Sequence, residues 1–228
     1  MPAFAPTDIM DLWAWYDANV GVTGGTSVTA WEDQSGLGND LASLSGEEPS
    51  QINNVINGLP VIIKGGGNKK LSSAVNVPDL STDGGTIFIV GQQSISGDSN
   101  GPYLTFGTTQ SVNIRRQGAT ANANRFTVNS SGGSTNNDRS GVTDGVFHTL
   151  RLRVDNVNQY ASVNNDTETS VACILGSYAG GSPLQIFFDG SATYGSKLIA
   201  EILIYNRDLS APEITMVEDY LKDKYQHY

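Results

Sequence analysis

The sequence predicts an all-β protein, an antiparallel two-sheet jelly-roll sandwich that ends in one short α-helix. Many short apolar segments are separated by stretches rich in Gly, Ser, Thr and Asn, and the chain contains 26 glycines. Helical periodicity occurs only near the C-terminus, so no helices are available to connect parallel strands. We therefore expect antiparallel pairing throughout a single domain that spans residues 1–228.

The predicted strands are short segments that are either apolar or alternate between apolar and polar residues. Residues 147–154 alternate most clearly, with Leu150, Leu152 and Val154 on one face and basic residues on the other. Residues 129–145 form the longest polar stretch and are expected to be a mobile loop. The predicted strands are 11–16, 27–31, 59–63, 86–90, 103–106, 111–116, 125–128, 147–154, 159–163, 184–188 and 198–205.

A strand followed by a helix ends the chain. Residues 198–205 are an Ile-rich apolar run and predict a buried strand. Ser210-Ala-Pro-Glu213 fits a capping box. In this motif the serine hydroxyl accepts a hydrogen bond from the backbone amide of Glu213, and the glutamate side chain accepts one from the backbone amide of Ser210. The apolar residues that follow share one helical face, by which the helix should pack on the sandwich: Ile214, Val217 and Leu221.

Composition and charge argue against several classes of protein. The net charge of −10 disfavours a nucleic-acid binder, because phosphates would be repelled on average. No run reaches the ~18 apolar residues expected of a membrane-spanning helix, and no basic region followed by an apolar stretch marks a secretion signal. The single cysteine, Cys173, cannot form an internal disulfide and is expected to be a small buried side chain.

Several motifs occur in a characteristic order along the chain. They are Leu12-Trp-Ala-Trp-Tyr-Asp17, Val28-Thr-Ala-Trp-Glu-Asp-Gln-Ser-Gly-Leu-Gly-Asn-Asp-Leu41, Asn57-Gly-Leu-Pro-Val61, Gly85-Thr-Ile-Phe-Ile-Val-Gly91, Phe147-His-Thr-Leu150 and Ala200-Glu-Ile-Leu-Ile-Tyr-Asn-Arg207. Together they resemble the concanavalin A-like lectin/glucanase superfamily, in its laminin-G-like branch. The resemblance implies the sandwich fold but no single function, because lectins, lyases, hydrolases and structural modules share this fold.

The loop Asp33-Gln-Ser-Gly-Leu-Gly-Asn-Asp40 is the densest polar cluster of the sequence. Asp33, Asn39 and Asp40 could supply oxygen ligands to calcium, which needs roughly six to eight donors. Alternatively, the loop is a tight turn in which Asp33 bonds nearby backbone while Gly36 and Gly38 adopt positive φ. Because no complete calcium-loop spacing is present, we prefer the turn and expect no cofactor.

Catalytic signals are mostly negative. Gly97-Asp-Ser-Asn-Gly101 fits the G-x-S-x-G pattern, but a nucleophile elbow needs a strand before it and a helix after it, and neither is predicted here. The same loop is a second, weaker calcium candidate for which a turn is again preferred. Hydrolases of the resembled superfamily carry carboxylates as Glu-x-Asp-x-x-Glu along one strand, and this sequence lacks that run.

Three single residues are candidates for catalysis or metal binding. Glu201 stands alone in its predicted strand, so we expect it to bond backbone or an arginine. His148 and His227 form neither a metal-binding spacing nor an evident dyad, and His148 is interpreted as structural. No catalytic residue is therefore assigned.

Basic residues concentrate between positions 101 and 153, where six of the seven arginines lie against two acids. Arg151 and Arg153 share the polar face of their strand, and Arg115 is expected to join them. Such a face would suit a carboxylated or sulfated glycan, or an acidic protein surface. The alternative is a solvated face whose arginines pair with nearby acids.

Aromatic residues supply a second kind of binding candidate. Tyr103 and Tyr160 are candidate platforms for sugar stacking, as is Tyr178, although each could equally be half-buried packing. Trp13, Trp15 and Trp31 lie in apolar contexts and are interpreted as core residues. The predicted ligand-binding set is therefore Arg115, Arg151, Arg153, Tyr103 and Tyr160.

Two function classes fit these features. The first is a non-catalytic lectin-like recognition or structural module, and the second is a glycan-cleaving enzyme of the same fold. The missing carboxylate spacing favours the module. Because Met1 lies close to the first strand and no secretion signal is evident, we expect a whole gene product on a virion surface, as a bacteriophage capsid decoration, head-fibre or tail-fibre protein. Its partner would be a glycan or anionic surface, or a capsid or tail protein; an extracellular protein is the alternative.

Overall fold

The computed structural model describes residues 4–93, 101–106, 112–117, 125–130, 135–139, 142–155, 157–172, 180–188 and 196–228. Within these ranges the regular structure is two antiparallel β-sheets, one 3-10 turn at Pro6–Asp8 and one C-terminal α-helix, α1 (Ala211–Tyr225). The predicted jelly-roll type of sandwich with a short C-terminal helix is confirmed. No helix in the described ranges is long and apolar enough to cross a lipid bilayer.

The strands are short and follow one another closely. In chain order they are β1 (Leu12–Asp17), β2 (Val22–Thr23), β3 (Ala30–Trp31), β4 (Leu41–Ala42), β5 (Ser50–Ile56), β6 (Leu59–Ile63), β7 (Leu71–Asn76), β8 (Gly85–Gln93), β9 (Pro102–Phe106), β10 (Val112–Gln117), β11 (Arg125–Ser130), β12 (Thr135–Arg139), β13 (Phe147–Val154), β14 (Asn158–Val163), β15 (Thr169–Ala172), β16 (Pro183–Ile186) and β17 (Lys197–Tyr205).

The two sheets differ in their strand order. Sheet 1 runs β15-β14-β13-β8-β17-β6-β5, and β1 also pairs with β17. One edge of β17 pairs with β8, whereas its other edge pairs with β6 at Leu198 and Ile199 and with β1 from Glu201 onward. Sheet 2 runs β12-β11-β10-β9-β16-β7-β4-β3-β2. Every described strand pair is antiparallel, as predicted from the absence of crossover helices.

The main apolar core lies between the two sheets. Leu150 and Leu152 of β13 and Ile202 and Ile204 of β17 belong to it, each at most 1% exposed. For β13 these are the positions that sequence alternation assigned to one face of the strand, and for β17 they lie in the apolar run that predicted a buried strand. Trp31 is fully buried in the same cluster.

Helix α1 covers the opposite face of sheet 1. The predicted helical stripe packs there against outward-facing residues of β8 and β17: Ile214, Val217 and Leu221 against Phe88 and Leu203. All nine residues of β17 are consequently buried. Both interpretations of the arginine face of β13 assumed that it is open to solvent. This is wrong for Arg151, which is 5% exposed, because alternation identifies residues that share a face but not what covers it.

The cap of α1 follows the predicted capping box in part. Glu213 accepts the Ser210 amide at 2.9 Å, as predicted. The Ser210 hydroxyl donates to the same carboxylate oxygen at 2.6 Å and caps no amide. Arg207 adds hydrogen bonds of 2.9 and 2.5 Å to Glu213, and these, as the largest cause, lower the pKa of Glu213 to about 2.

The polar stretch 129–145 contains a strand, so the prediction of a loop is wrong for part of it. β12 lies at the edge of sheet 2 and pairs with β11. The Asn137 amide is 1% exposed and donates to the carbonyls of Gln159 and Thr169 in sheet 1 at 3.0 and 2.9 Å. A polar strand is stable here because its buried amide joins the edges of the two sheets.

Candidate binding groove between strand β13 and helix α1

Arg151 and Arg153 both line a groove between β13 and the start of α1. The groove has a volume of about 630 Å³. Its polar lining includes Glu168, from the turn between β14 and β15, and Asp208, from the loop between β17 and α1. Leu209 and Ile214 contribute apolar lining. Residues from four separate parts of the chain thus meet in one concave surface that combines charged and apolar contacts.

Arg153 is fixed by two carboxylates and one aromatic ring. Its Nη1 donates to both oxygens of Asp208 at 3.0 Å, and its Nη2 and Nε donate to Glu168 at 2.9 and 3.3 Å. The guanidinium carbon lies 3.7 Å from the ring centroid of Tyr160. Burial alone would lower the pKa of Arg153, but the hydrogen bonds with Glu168 and Asp208 outweigh burial and raise it. The guanidinium plane is therefore rigid and permanently charged.

The two carboxylates that hold Arg153 are electrostatically different. Burial raises the pKa of Asp208, and Arg153 offsets this only in part. Burial by itself would raise the pKa of Glu168 as well. The hydrogen bonds and positive charges of Arg153 and Arg151 outweigh burial, so the pKa of Glu168 is lowered. The side chains of Glu168 and Asp208 are 23% and 31% exposed. Both can therefore accept further hydrogen bonds from a ligand in the groove.

Arg151 lies deeper than Arg153 and connects the sheet to the helix. Its side chain is 6% exposed and donates to Glu168 at 3.1 Å. It also forms an ion pair with Glu218 on the inner face of α1. The Glu218 side chain is 1% exposed, and its Oε2 has no hydrogen-bond partner among the described residues. Burial accordingly raises the pKa of Glu218 to about 7, in opposition to Arg151.

The groove contains more acidic than basic groups. Two guanidinium groups, of Arg151 and Arg153, meet three carboxylates in the lining, those of Asp166, Glu168 and Asp208. Buried Glu218 adds a fourth carboxylate beside Arg151. The arginine charges are therefore compensated within the protein. Of the two interpretations of this arginine face, pairing with nearby acids is the one that the geometry shows for Arg151 and Arg153.

Arg115 does not join this face. It lies on β10 in sheet 2, whereas Arg151 and Arg153 lie on β13 in sheet 1. The expectation of one continuous arginine surface was therefore wrong, because alternation within a strand does not reveal the sheet to which that strand belongs. The side chains of the remaining arginines of this segment (Arg116, Arg125 and Arg139) lie outside the described part of the structure.

The two predicted tyrosine platforms are largely covered. Tyr103 is 1% exposed in the core between the sheets. It packs so closely on Gly91 that a Cβ at that position would lie 2.8 Å from the ring. Tyr160 is half-buried, has Arg153 over its ring, and donates its hydroxyl to Asp155 at 2.7 Å. In this conformation Tyr160 supports the groove through Arg153, and Tyr103 supports the core.

The Asp33–Asp40 loop has the geometry of a turn. Asp33 Oδ1 accepts the amides of Trp15 and Ser35, both at 2.9 Å. Asp33 Oδ2 accepts the Ser35 hydroxyl at 2.6 Å and the Asn39 amide at 3.0 Å. Asp40 accepts the Asp33 amide at 2.9 Å. Asp33 thus organises the surrounding backbone, as the turn interpretation requires.

Glycine conformation and donor chemistry agree with that interpretation. Gly36 and Gly38 have φ of 88° and 72°, as predicted. Asn39 donates its side-chain amide to the Trp13 carbonyl at 2.6 Å. Among the described residues, no group of three His, Cys, Asp or Glu side chains is arranged to hold a metal ion. Calcium insensitivity of the loop stays a prediction.

The two histidines are both found at strand β13 of sheet 1: His148 belongs to the strand, and His227 contacts its residue Thr149. His148 is 4% exposed, and its Nε2 accepts the Thr143 amide at 3.0 Å, a contact that suits the structural role predicted for it. His227 Nε2 lies 2.9 Å from Thr149 Oγ1. Burial, with a smaller effect from His148, lowers the pKa of His227 to about 4. His227 is therefore neutral at physiological pH.

One buried carboxylate has a set of hydrogen-bond donors that the sequence did not predict. Glu201, predicted to bond backbone or an arginine, instead accepts hydrogen bonds from Trp15 Nε1, Tyr220 and Tyr225 hydroxyls, and Lys224 Nζ, at 2.7, 2.8, 2.7 and 2.7 Å. Its side chain is fully buried. Burial, partly offset by Lys224, raises the pKa of Glu201. The only hint in the sequence is a lone acid in an apolar strand, and its partners come from distant segments.

Some predictions concern residues outside the described part of the structure. Cys173 and Tyr178 belong to this group, as does most of the Gly97–Gly101 loop with its G-x-S-x-G and calcium patterns. Their predicted roles stay predictions.

Neither a protein-family profile nor a curated protein sequence matches this chain. Solved structures do match in fold. The binding domain of Paraclostridial Mosquitocidal Protein 1 has a TM-score of 0.68 at 12% identity, over 95% of this chain and 53% of that one. Trypanosoma rangeli sialidase has a TM-score of 0.66 at 12% identity, over 95% of this chain and 33% of the sialidase chain.

A third similar structure belongs to botulinum neurotoxin type C, whose cell entry is described as dependent upon interaction with two ganglioside molecules. It has a TM-score of 0.65 at 12% identity, over 94% of this chain and 52% of that one. This chain thus spans about half of the two toxin chains and a third of the sialidase. At such low identity the likeness establishes the fold class alone, a two-sheet β-sandwich of jelly-roll type.

Proposed function

We propose that this protein is a non-catalytic, lectin-like recognition module that binds a neutral glycan in the groove at Arg153, Glu168 and Asp208. The observation that carries this proposal is the rigid guanidinium held between two partly exposed carboxylates, next to apolar lining. A preformed polar arrangement costs little conformational entropy when a ligand binds. It also fixes the orientation of that ligand.

A sugar matches this lining in its chemistry. Each sugar hydroxyl both donates and accepts hydrogen bonds, so it can donate to a carboxylate while it accepts from a guanidinium or a serine hydroxyl. Glu168, Asp208 and Arg153 provide such pairs within one groove. The carbon-bound hydrogens of a sugar ring form an apolar face, which Leu209 and Ile214 can contact.

An anionic ligand fits the groove less well than a neutral one. The acids outnumber the arginines, and both arginines already donate to carboxylates. A glycan carboxylate or sulfate would have to displace Glu168 or Asp208 from Arg153 and would be repelled by them. The arginines therefore support neutral glycan recognition through their position, not through excess charge.

The enzyme alternative has one observation in its favour. Glu168 and Asp208 have pKa values shifted in opposite directions, the pattern by which acid and base pairs are recognised. However, the Arg153 guanidinium occupies the space between the two carboxylates, where the scissile bond of a sugar would have to lie. Binding without cleavage is thus the better explanation.

The similar structures add support of a general kind, since one of them is named for ganglioside interaction. From the ordered sequence motifs between Leu12 and Arg207 we further infer that this protein belongs to the laminin-G-like branch of the concanavalin A-like superfamily. The virion-surface setting is a separate part of the proposal that rests on the sequence alone. Mass spectrometry of purified particles would test it, and absence of the chain from them would favour the extracellular alternative.

A glycan array tests the proposed function, with wild type beside Asp208→Asn and a matched control, Glu32→Gln, which removes an exposed carboxylate elsewhere. We expect saturable binding of neutral glycans that is nearly independent of salt. Binding should weaken about tenfold in Asp208→Asn, as for loss of a charge-assisted contact, and should be unchanged in the control. A parallel reducing-sugar assay should detect no release.

Three results would contradict this assignment. Preference for acidic glycans, with binding that fades as salt increases, would restore the anionic interpretation. Release of sugar would establish the enzyme. Undiminished binding by Asp208→Asn would place the recognition surface elsewhere on the molecule.

A further inference from the structure

A second concave surface lies on helix α1, beside the start of the described chain. Its volume is about 630 Å³, and its lining consists of Phe4, Met216, Asp219, Tyr220, Asp223 and Lys224. None of these residues lines the groove at Arg153. We call this surface the α1 pocket.

Two aromatic rings and a methionine give the α1 pocket an apolar lining. The rings of Phe4 and Tyr220 meet edge to face, with centroids 6.0 Å apart and planes at 69°. The Tyr220 hydroxyl donates to buried Glu201 at 2.8 Å, which fixes the ring. Met216 is 44% exposed. An exposed thioether beside a rigid aromatic pair is a surface suited to contact with another molecule.

The charge of the α1 pocket is negative. Asp219 and Asp223 lie one helical turn apart, are exposed, and form no ion pair or hydrogen bond within the described part of the chain. The neighbouring ammonium of Lys224 is directed inward, because it donates to Asp17 at 2.8 Å and to Glu201 at 2.7 Å. Its charge is thereby compensated, and the two aspartates dominate the rim.

We propose that the α1 pocket binds an arginine side chain of a partner protein. A guanidinium group can lie against an aromatic ring while it donates a fork of hydrogen bonds to a carboxylate. The α1 pocket offers both types of contact, and the apolar stem of an arginine can pack on Met216. The net charge of −10 would attract a basic partner over a distance, whereas an anionic ligand would be repelled.

A short acetylated and amidated peptide of alternating glycine and arginine is a suitable probe, with a citrulline version as its uncharged isostere. Titrated into isotopically labelled protein, the arginine peptide should produce saturable amide shifts at Met216, Tyr220 and Asp223. The citrulline peptide should produce none. The double variant D219N/D223N should weaken binding at least tenfold, and Met216→Ala should weaken it severalfold.

The matched control is the double variant E32Q/D79N, which removes two exposed carboxylates from other loops and should bind the peptide as wild type does. Equal loss of affinity in this control would show that binding depends on net charge and not on the α1 pocket. Equal binding of the citrulline peptide, shifts confined to Glu168 and Asp208, or absence of saturable shifts would each overturn the proposal. None of these results bears on glycan binding at the Arg153 groove.

Discussion

Two charged networks lie between sheet 1 and helix α1, and they differ in their access to solvent. At the start of α1, Arg153 is shared by Glu168 and Asp208, whose side chains are 23% and 31% exposed. Toward its end, Lys224 is shared by Asp17 and Glu201, whose side chains are 7% and 0% exposed. Each network joins one cation to two carboxylates, so the chemistry is nearly the same.

The two networks have different roles because one is open to solvent and the other is closed by side chains. The Arg153 network faces a groove and has acceptor capacity left for a ligand. The Glu201 network is closed by Trp15, Tyr220 and Tyr225, which use the carboxylate oxygens completely. An open network can exchange its partners with a ligand, whereas the hydrogen bonds of a closed one are already used and hold the helix to the sheet. Exposure, more than residue type, therefore separates recognition from stability here.

The largest effect expected from this comparison is on the closed network. Glu201→Gln should lower the free energy of unfolding by about 3–5 kcal/mol, the cost of breaking a buried charge pair and leaving its partners unsatisfied. Reversible denaturation would measure it. The exposed control Glu32→Gln should change stability by less than about 0.5 kcal/mol. If both variants unfold alike, the Glu201 cluster does not hold the helix.

A smaller effect concerns Glu218, which lies between the two networks and pairs with Arg151. Its pKa in the folded protein is about 7, above the value of about 4.3 for an unfolded chain. A carboxyl group with a raised folded pKa stabilises fully at low pH, and its contribution is lost as pH rises from about 4.3 to 7. Stability measured across this range should fall more steeply in wild type than in Glu218→Gln.

Glu213 at the start of α1 should behave in the opposite sense. Its folded pKa is about 2, so its contribution is present above about pH 4.3 and is lost as pH falls toward 2. Glu213→Gln should therefore reduce the acid sensitivity of unfolding. Identical pH profiles for the two variants and wild type would show that neither carboxyl group is coupled to the packing of α1.

Much of the fold could be predicted from the sequence, and four of the six missed strands share a cause. The strands with clear apolar content, such as β13 and β17, were predicted within one residue of their observed ends. Six strands were missed: β2, β5, β12 and β15, which end a sheet, and β4 and β7, which lie inside sheet 2. An edge strand pairs on one side only and carries polar residues that limit aggregation, so its sequence lacks the apolar signal.

The candidate site was predictable only in part for a related reason. Arg151 and Arg153 were found because they alternate with apolar residues within one strand. Glu168 and Asp208 come from two different loops, and their approach to Arg153 depends on how the strands order themselves in the sheet. Pairing between distant segments leaves no local pattern. The partners of Glu201 were missed for the same reason.

At the Asp33–Asp40 loop we expect calcium to have no effect on stability. That loop is a third closed network, in which Asp33 accepts hydrogen bonds from three backbone amides and one hydroxyl. Calcium should therefore leave the melting temperature of chelator-treated protein unchanged. A rise in melting temperature on addition of calcium would show that the loop, with Asn39 and Asp40, binds the ion.

The central claim is that the open network recognises a ligand while the closed network stabilises the fold. Calorimetric titration with the best neutral glycan from the array, together with denaturation, would compare Asp208→Asn with Glu201→Gln. Asp208→Asn should lose about tenfold in affinity with an unfolding free energy within about 1 kcal/mol of wild type. Glu201→Gln should lose stability and keep its affinity within about twofold under conditions where it is folded. Full glycan affinity in Asp208→Asn, or its loss in folded Glu201→Gln, would contradict this division.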